Sequence, residues 1–423
     1  MNARALIFFI LATTATSCSS IKKSIIEIAD QYQYHPGFYL YDPVAKKELL
    51  AINEDKYFTP ASNTKVFTFY SSLTVLPDSM PSFRYVNTDT ALLIWGLADP
   101  SFLNDKLMQG NNYEFLKSAP KIYFSFTNFS TARFGSGWAW DDYNGNYSQE
   151  RTPFPIYGNS ISFNIDSINK ELQVQPSFFM DSLKISAGEK YSITRKEFSN
   201  IFEWDTTGCS NCERLRPIYF SHHTFERLLS DTLKIPVQIT NSPLPVNANT
   251  YYGIPTDSVL KVMMQESDNL MAEHLLLSVA AQLTDTLSTK IAMREMSQKI
   301  NTFVPDEINW RDGSGLSRYN LFTPRSMVFL WNKIYNDIGE ERLFSLISVG
   351  GKVGTIEKWF GAVPPYIYGK TGTLSNNFNL SGFLITKSGK RLIFSYMNNN
   401  YPVSSSDIKK EMEVVLKKVY EKY

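Results

Sequence analysis

Apolar residues recur at helical spacing from Ile21 to Tyr34, and the pattern then breaks into short extended runs at Gly37–Tyr41 and Leu49–Ile52. The first stretch predicts an amphipathic helix and the two runs predict strands. A further apolar run, Val66–Tyr70, opens just after Pro60 and Ser62 and reads as a helix start. Helical patterning returns at Val259–Met264 and Met271–Leu276, on either side of a short polar break. Leu380–Ile385 and Arg391–Tyr396 read as successive strands joined by a turn at Lys387–Lys390. A last amphipathic stretch, Ile408–Tyr420, predicts a helix that packs with the first one on one face of the sheet. Between 81 and 244 the pattern is β-rich, with aromatic clusters such as Tyr123–Phe126 that suit strand cores, and some aromatics could serve a glycan groove. The stretch Asn241-Ser242-Pro243-Leu244-Pro245 reads as an exit linker.

Three short motifs fall on these elements. Ser62-Asn63-Thr64-Lys65 opens the helix before Val66, Ser267-Asp268-Asn269 fills the break between two helices, and Lys370-Thr371-Gly372 sits on a strand after Pro365–Gly369. Ser-x-x-Lys alone says little, because Ser118/Lys121, Ser258/Lys261 and Ser406/Lys409 also match it, whereas Lys-Thr-Gly occurs once. The ordered set is the known signature of a serine acyl-transfer site with a lysine base. On a helix, residues three apart share a face, so the Lys65 amine can reach the Ser62 hydroxyl. Free N–H groups at a helix start suit a developing oxyanion. A hydroxyl and an amide projected from one loop suit proton relay and a hydrogen bond to a substrate amide.

In these motifs the chain resembles the serine D-alanyl-D-alanine carboxypeptidases/endopeptidases, the class C low-molecular-mass penicillin-binding proteins of penicillin-binding protein 4 type. The resemblance extends to Gly96-Leu97-Ala98-Asp99-Pro100-Ser101, to Gly137-Trp138-Ala139-Trp140-Asp141-Asp142, to Asp312-Gly313-Ser314-Gly315-Leu316-Ser317-Arg318 and to the segment from Gly369 to Leu380. It fades in the first twenty residues and over about 160–220. The resemblance implies an α+β fold, a β-lactamase/transpeptidase-like domain with an antiparallel sheet flanked by helices, carrying a β-rich inserted domain. The interval from Ser62 to Ser267 is about twice that from Ser267 to Lys370, which places the insertion there. The expected organisation is a catalytic domain split over 19–80 and 245–423, with the insertion at 81–244. The family often carries two inserted domains, and this insertion is short for both.

Chemistry follows from charge. A free lysine titrates near ~10.4, and burial and the neighbouring Lys370 cation would both disfavour charge on Lys65. Ser62 would then attack a carbonyl and form an acyl-enzyme. The resemblance assigns the oxyanion to the N–H groups of Ser62 and Thr373. Ser267 would relay the proton to the leaving amine. Lys370, Thr371, Gly372 and Thr373 would bind a terminal carboxylate, and Asn269 the acyl donor's amide. Asp141 and Asp142 would meet the amine of a diamino-acid side chain, against the simpler reading that Trp138 and Trp140 are core and the aspartates cap a turn. The implied substrates are peptidoglycan stem peptides, with β-lactams as covalent inhibitors and no metal or organic cofactor. The alternatives are a β-lactamase, a related serine esterase, or a non-catalytic peptidoglycan-binding or β-lactam-sensing lipoprotein.

Composition narrows the setting. With 423 residues, 43% hydrophobic and 20% charged, the chain is globular and long enough for two or three domains. A net charge of +1 gives no reason to invoke nucleic acid. Arg4 and the apolar run Ala5–Ala12 read as a signal peptide. Ala15-Thr16-Ser17-Cys18 resembles a lipobox, so residues 1–18 are expected to form a lipoprotein signal segment, with lipid on Cys18 anchoring an extracytoplasmic, periplasmic protein to a bacterial membrane. Cys209 and Cys212 are then left to close as a small disulfide, with redox or zinc roles beside His222 and His223 as the alternatives.

Overall fold

The structure is a computed structural model that describes residues 20–166, 171–186, 188–209 and 212–423. The expected signal peptide and Cys18 lie outside the described residues. By contacts the chain forms two units, one of residues 1–70, 261–267 and 293–423, the other of residues 71–260 and 268–292.

The first unit is built on a six-stranded sheet. Its strand order is Ser348–Val349, Ile367–Leu374, Asn377–Ile385, Arg391–Asn399, His35–Asp42 and Lys47–Ile52. Every pairing is antiparallel. Strand side chains alternate between faces. Phe378, Leu380 and Leu384 accordingly join Ile21, Ile25, Ile408, Met412 and Val415 in one core. Ser381 and Phe383 point the other way, to Trp331 of the helix Pro324–Ile338; Trp331 Nε1 donates to Ser381 Oγ at 2.9 Å and its ring lies 5.7 Å from Phe383. Helices therefore cover both faces, which is why the central strands are buried almost throughout. The first helix runs from 20 to 31, shorter than the expected span, and the chain reverses after it at Gln33, whose φ is +52°. The last helix, Ser405–Lys422, is longer than expected because Ser404 Oγ accepts the Asp407 N–H as an N-cap.

The second unit holds a five-stranded sheet in the order Val237–Thr240, Ile122–Ser125, Leu92–Gly96, Ser79–Asn87 and Asn249–Pro255. Two of its four pairings are parallel. Two three-stranded sheets accompany it, and Phe83, Phe124, Phe154, Phe163 and Trp204 share one core with Phe225 and Leu229 of the helix His222–Leu233. Cys209 and Cys212 are joined by a disulfide. His222 stacks on Phe126 with ring centroids 4.2 Å apart. Among the described residues no group of three or more His, Cys, Asp or Glu side chains gathers at metal-binding range.

Two buried titratable groups of this unit oppose each other. His274 lies on the helix Asn269–Thr284, with Nδ1 2.8 Å from the Leu270 carbonyl while Nε2 accepts the Thr152 N–H at 3.2 Å. Burial pushes it down to about 4, so its contribution to stability is lost as pH falls from ~6.5 towards 4. Glu150 is pushed up to about 7 by burial, against the pull of Arg133. The folded state then holds its proton longer than the unfolded state does, and stability falls as pH rises from ~4.5 to 7, by about 3 kcal/mol. Glu150→Gln should therefore raise Tm at pH 8 more than at pH 5. A Tm difference from the parent that does not change with pH would show that Glu150 carries no such cost.

Candidate active site

The turn that carries Ser62 is made by tight backbone packing in the first unit. Ala61–Thr64 form one 3-10 turn that runs directly into the helix Lys65–Val75. Ala61 has a φ of +48°, a strained conformation for a residue with a Cβ. Neighbours hold it there. A Cβ on Gly372 would lie 2.3 Å from the Pro60 carbonyl oxygen, and one on Gly315, at φ +83°, would lie 1.9 Å from that of Ala61. Asn379 and Asn399 both donate through Nδ2 to the Thr59 carbonyl, at 3.0 and 3.3 Å, and Ser381 Oγ donates to Asn63 Oδ1. The close approach that Gly372 permits in this structure is thus to the Ser62 turn.

Lys65 Nζ lies 2.9 Å from Ser62 Oγ, as the one-turn spacing predicts, and donates to the Ser314 carbonyl at 2.6 Å. The segment carrying Ser314 is folded around the buried Asp312. Its carboxylate accepts from the N–H groups of Gly315 and Ser317 at 2.9 and 2.7 Å and from Asn320 Nδ2 at 2.7 Å. Lys370 Nζ donates to Ser267 Oγ at 2.7 Å and to its neighbour's carbonyl, Thr371 O, at 2.8 Å. Ser267 stands at φ +62°. Thr371 Oγ1 donates to Thr355 Oγ1 at 2.7 Å, while Thr373 is exposed on the same strand. Both lysines are fully buried. Burial first, and the charge of Lys65 second, hold the Lys370 amine well below the ordinary lysine range. From the sequence Lys370 is a fixed cation acting on Lys65; in the folded chain the charge of Lys370 is itself disfavoured, because its amine is fully buried.

In the second unit, Asn269 begins the helix Asn269–Thr284, and Asp268 caps it by accepting the Met271 N–H at 3.0 Å. Asp268 also pairs with Lys106 at 2.7 Å. Asn269 Nδ2 donates to the Tyr147 carbonyl at 2.8 Å, and Tyr147 Oη donates to Asp142 Oδ1 at 2.6 Å. Tyr147 therefore joins two predicted substrate residues that are far apart in sequence. The hydrogen bond to Asp142 is the main reason its phenol is raised to about 12. Asp141 and Asp142 sit on the 3-10 turn Trp140–Asn144, and Asp141 is exposed. Trp140 is 81% exposed, which removes it from the core.

Sequence reasoning assigned no role to Tyr147, Asp312 or the Ser314 carbonyl. The Asp312-Gly313-Ser314-Gly315 run was visible as a motif, but nothing local tells that its backbone will meet Lys65. Tyr147 has no sequence signal at all.

Residues 232–419 match the D-Ala-D-Ala carboxypeptidase 3 (S13) family. The chain is 23% identical over 436 residues to the penicillin-sensitive carboxypeptidase A of Dictyostelium discoideum, covering 85% of this chain and 81% of that protein. It is 30% identical over 163 residues to the D-alanyl-D-alanine carboxypeptidase DacB of Haemophilus influenzae, a match to 37% of this chain and 34% of that one. In structure it is similar to penicillin-binding protein 4 from Haemophilus influenzae, with a TM-score of 0.73 at 20% identity over 91% of this chain and 95% of the other. A predatory peptidoglycan endopeptidase from Bdellovibrio bacteriovorus is similar at a TM-score of 0.52 and 16% identity, over 92% of each chain. With the ordered motifs and the Ser62–Lys65 and Ser267–Lys370 pairs, these matches make the chain similar to the serine D-alanyl-D-alanine carboxypeptidase (S13) family over its C-terminal part and to penicillin-binding protein 4 in fold.

Proposed function

We propose that the protein is a serine-type D-Ala-D-Ala carboxypeptidase or endopeptidase that cleaves peptidoglycan stem peptides through an acyl-enzyme and is acylated by β-lactams. The observation that carries this reading is the pair of short contacts in one unit, Lys65 to Ser62 at 2.9 Å and Lys370 to Ser267 at 2.7 Å. Neutral Lys65 takes the Ser62 proton as Oγ bonds to the penultimate D-Ala carbonyl carbon. The Ser62 and Thr373 N–H groups hold the oxyanion. Ser267, hydrogen-bonded to Lys370, passes a proton to the departing amine as the peptide C–N bond breaks and regains one from Lys65, which returns to its neutral form. Water then attacks the ester, with Lys65 again taking the proton, and Ser62 is regenerated. Lys370, Thr371 and Thr373 receive the substrate's terminal carboxylate, Gly372 lies on the same strand, and Asn269 receives an amide.

Purified cross-linked and uncross-linked muropeptides test this directly. Mass spectrometry should show loss of a terminal D-Ala, splitting of dimers, or both; intact digests would refute the reading, and rapid turnover of penicillin with no peptide cleavage would make the protein a β-lactamase. The same substrates probe Asp141 and Asp142. Asp141→Asn or Asp142→Asn should slow stem-peptide turnover about tenfold, while acylation by penicillin, which has no diamino-acid amine, changes far less. Equal losses on both would assign the aspartates to folding.

Lipid attachment at Cys18 would hold the enzyme on a bacterial membrane outside the cytoplasm, where its substrate is. No described helix is long and apolar enough to cross a membrane. Cys18→Ser should move the protein from the membrane to the soluble fraction; a parent protein already soluble after cell fractionation would rule out the anchor.

A further inference from the structure

The second unit contains a cavity of about 410 Å³ to which none of the three acyl-transfer motifs contributes a residue. This is within the ordinary range of small-ligand pockets, ~300–1,000 Å³. Its walls are aromatic: Phe134, Trp138, Trp140, Tyr143 and Phe198. Trp140 is 81% exposed and Phe198 62% exposed. Large apolar faces left open to water in this way carry a cost and mark binding surfaces.

The walls are held in place. Phe134 lies 5.9 Å from the Trp138 ring and 6.2 Å from Tyr143, and Tyr143 lies 6.3 Å from Phe198. Tyr143 Oη accepts the Phe198 N–H at 2.9 Å, and the buried Arg195 guanidinium packs 4.0 Å over the Tyr143 ring and donates to its carbonyl. Polar groups border the aromatics. Arg133 stacks over Phe134 and Phe198, 5.3 Å from each, with Glu150 3.8 Å behind it, and Glu197 stands at the rim.

We infer that this cavity binds a saccharide, an N-acetylhexosamine unit of a glycan strand. A pyranose ring offers an apolar C–H face that stacks on Trp140 or Phe198, while its equatorial hydroxyls and N-acetyl amide reach outward to Arg133 and Glu197. A cationic guest would suit the aromatic rings but not the Arg133 guanidinium set among them. A purely apolar guest would make no use of Arg133 and Glu197 in the lining. The inference rests on the peptidase reading, because that substrate carries such sugars next to the cleaved peptide, and it extends the reading from the peptide to the strand that bears it.

The test uses the soluble form of the full chain and the oligosaccharide penta-N-acetylchitopentaose. Isothermal calorimetry and tryptophan fluorescence should both show saturable binding. W140A should weaken it at least tenfold, and F198A several-fold, with thermal melts like the parent's because both rings are largely solvent-exposed. Phe198 lies outside the Trp140–Asn144 turn and meets it through Tyr143, so stem-peptide turnover by F198A, measured alongside, separates loss of the sugar site from damage to the peptide site. No saturable signal with the parent, or equal affinity in parent and both variants, would overturn the site. Penicillin acylation of the parent, read by mass, is the separate arm. A protein that is acylated but does not bind the oligosaccharide loses the sugar site alone. One that binds the oligosaccharide but is never acylated loses the peptidase reading and keeps the site.

Discussion

Ser62→Ala should take up no penicillin, and stem-peptide turnover should fall by roughly 10⁴-fold or more, the scale on which nucleophile deletions act. In the proposed mechanism the hydroxyl forms the ester, and the Lys65 amine at 2.9 Å is placed to take its proton. Lys65→Arg should be nearly as severe with the fold intact. A guanidinium still fills buried space and donates to the Ser314 carbonyl, but it stays protonated and cannot accept the serine proton. Intact-mass measurement after exposure to penicillin checks both. Acyl adduct on the Ser62→Ala chain, or parent-like acylation of Lys65→Arg, would remove these residues from the roles given them.

Lys370→Met should abolish useful turnover and at the same time raise thermal stability. Lys370 is fully buried, and its amine is held well below the ordinary lysine range by that burial and by Lys65. The unfolded chain protonates this lysine near ~10.4, the folded chain only at lower pH. Between the two values the unfolded state binds the extra proton, so stability declines as pH falls through that window and stays lowered beneath it. Methionine has similar length and no charge to desolvate. The stabilisation of Lys370→Met over the parent should therefore be larger at pH 7 than at pH 10.5. Acylation by penicillin should drop at least 100-fold, because the carboxylate partner and the hydrogen bond to Ser267 both disappear. A variant less stable than the parent at every pH, or one that keeps parent-like acylation, would contradict the account.

Both experiments depend on a site that strains its own scaffold. Ala61 and Ser267 occupy left-handed backbone, and two amines share a buried space. Such features lower stability and persist where the surrounding structure enforces them. Here the enforcement is specific: the Thr59 carbonyl takes two asparagine donors, and Gly372 and Gly315 let neighbouring strands press against the turn. Gly315→Ala would drive a methyl into the Ala61 carbonyl, so it belongs among the substitutions that damage the site through the backbone.

By itself the sequence determined the chemistry that depends on near neighbours. Ser62 and Lys65 are three apart, so any helical turn brings them together. The apolar runs 380–385 and 391–396 with a turn between them were enough to define two strands, and the 3.6-residue pattern at 21–34 and 408–420 was enough to define the covering helices. The ordered motifs carried the resemblance to the family. Only the tertiary structure decided what rests on contacts between distant residues. The Ser314 carbonyl meets Lys65 across 249 positions, Lys370 meets Ser267 across 103, and Tyr147 joins Asn269 across 122 to Asp142. Nor could a pattern of residue types say that the charge of Lys370 is disfavoured. That depends on how completely the fold excludes water from each amine, and burial is a property of packing, not of composition.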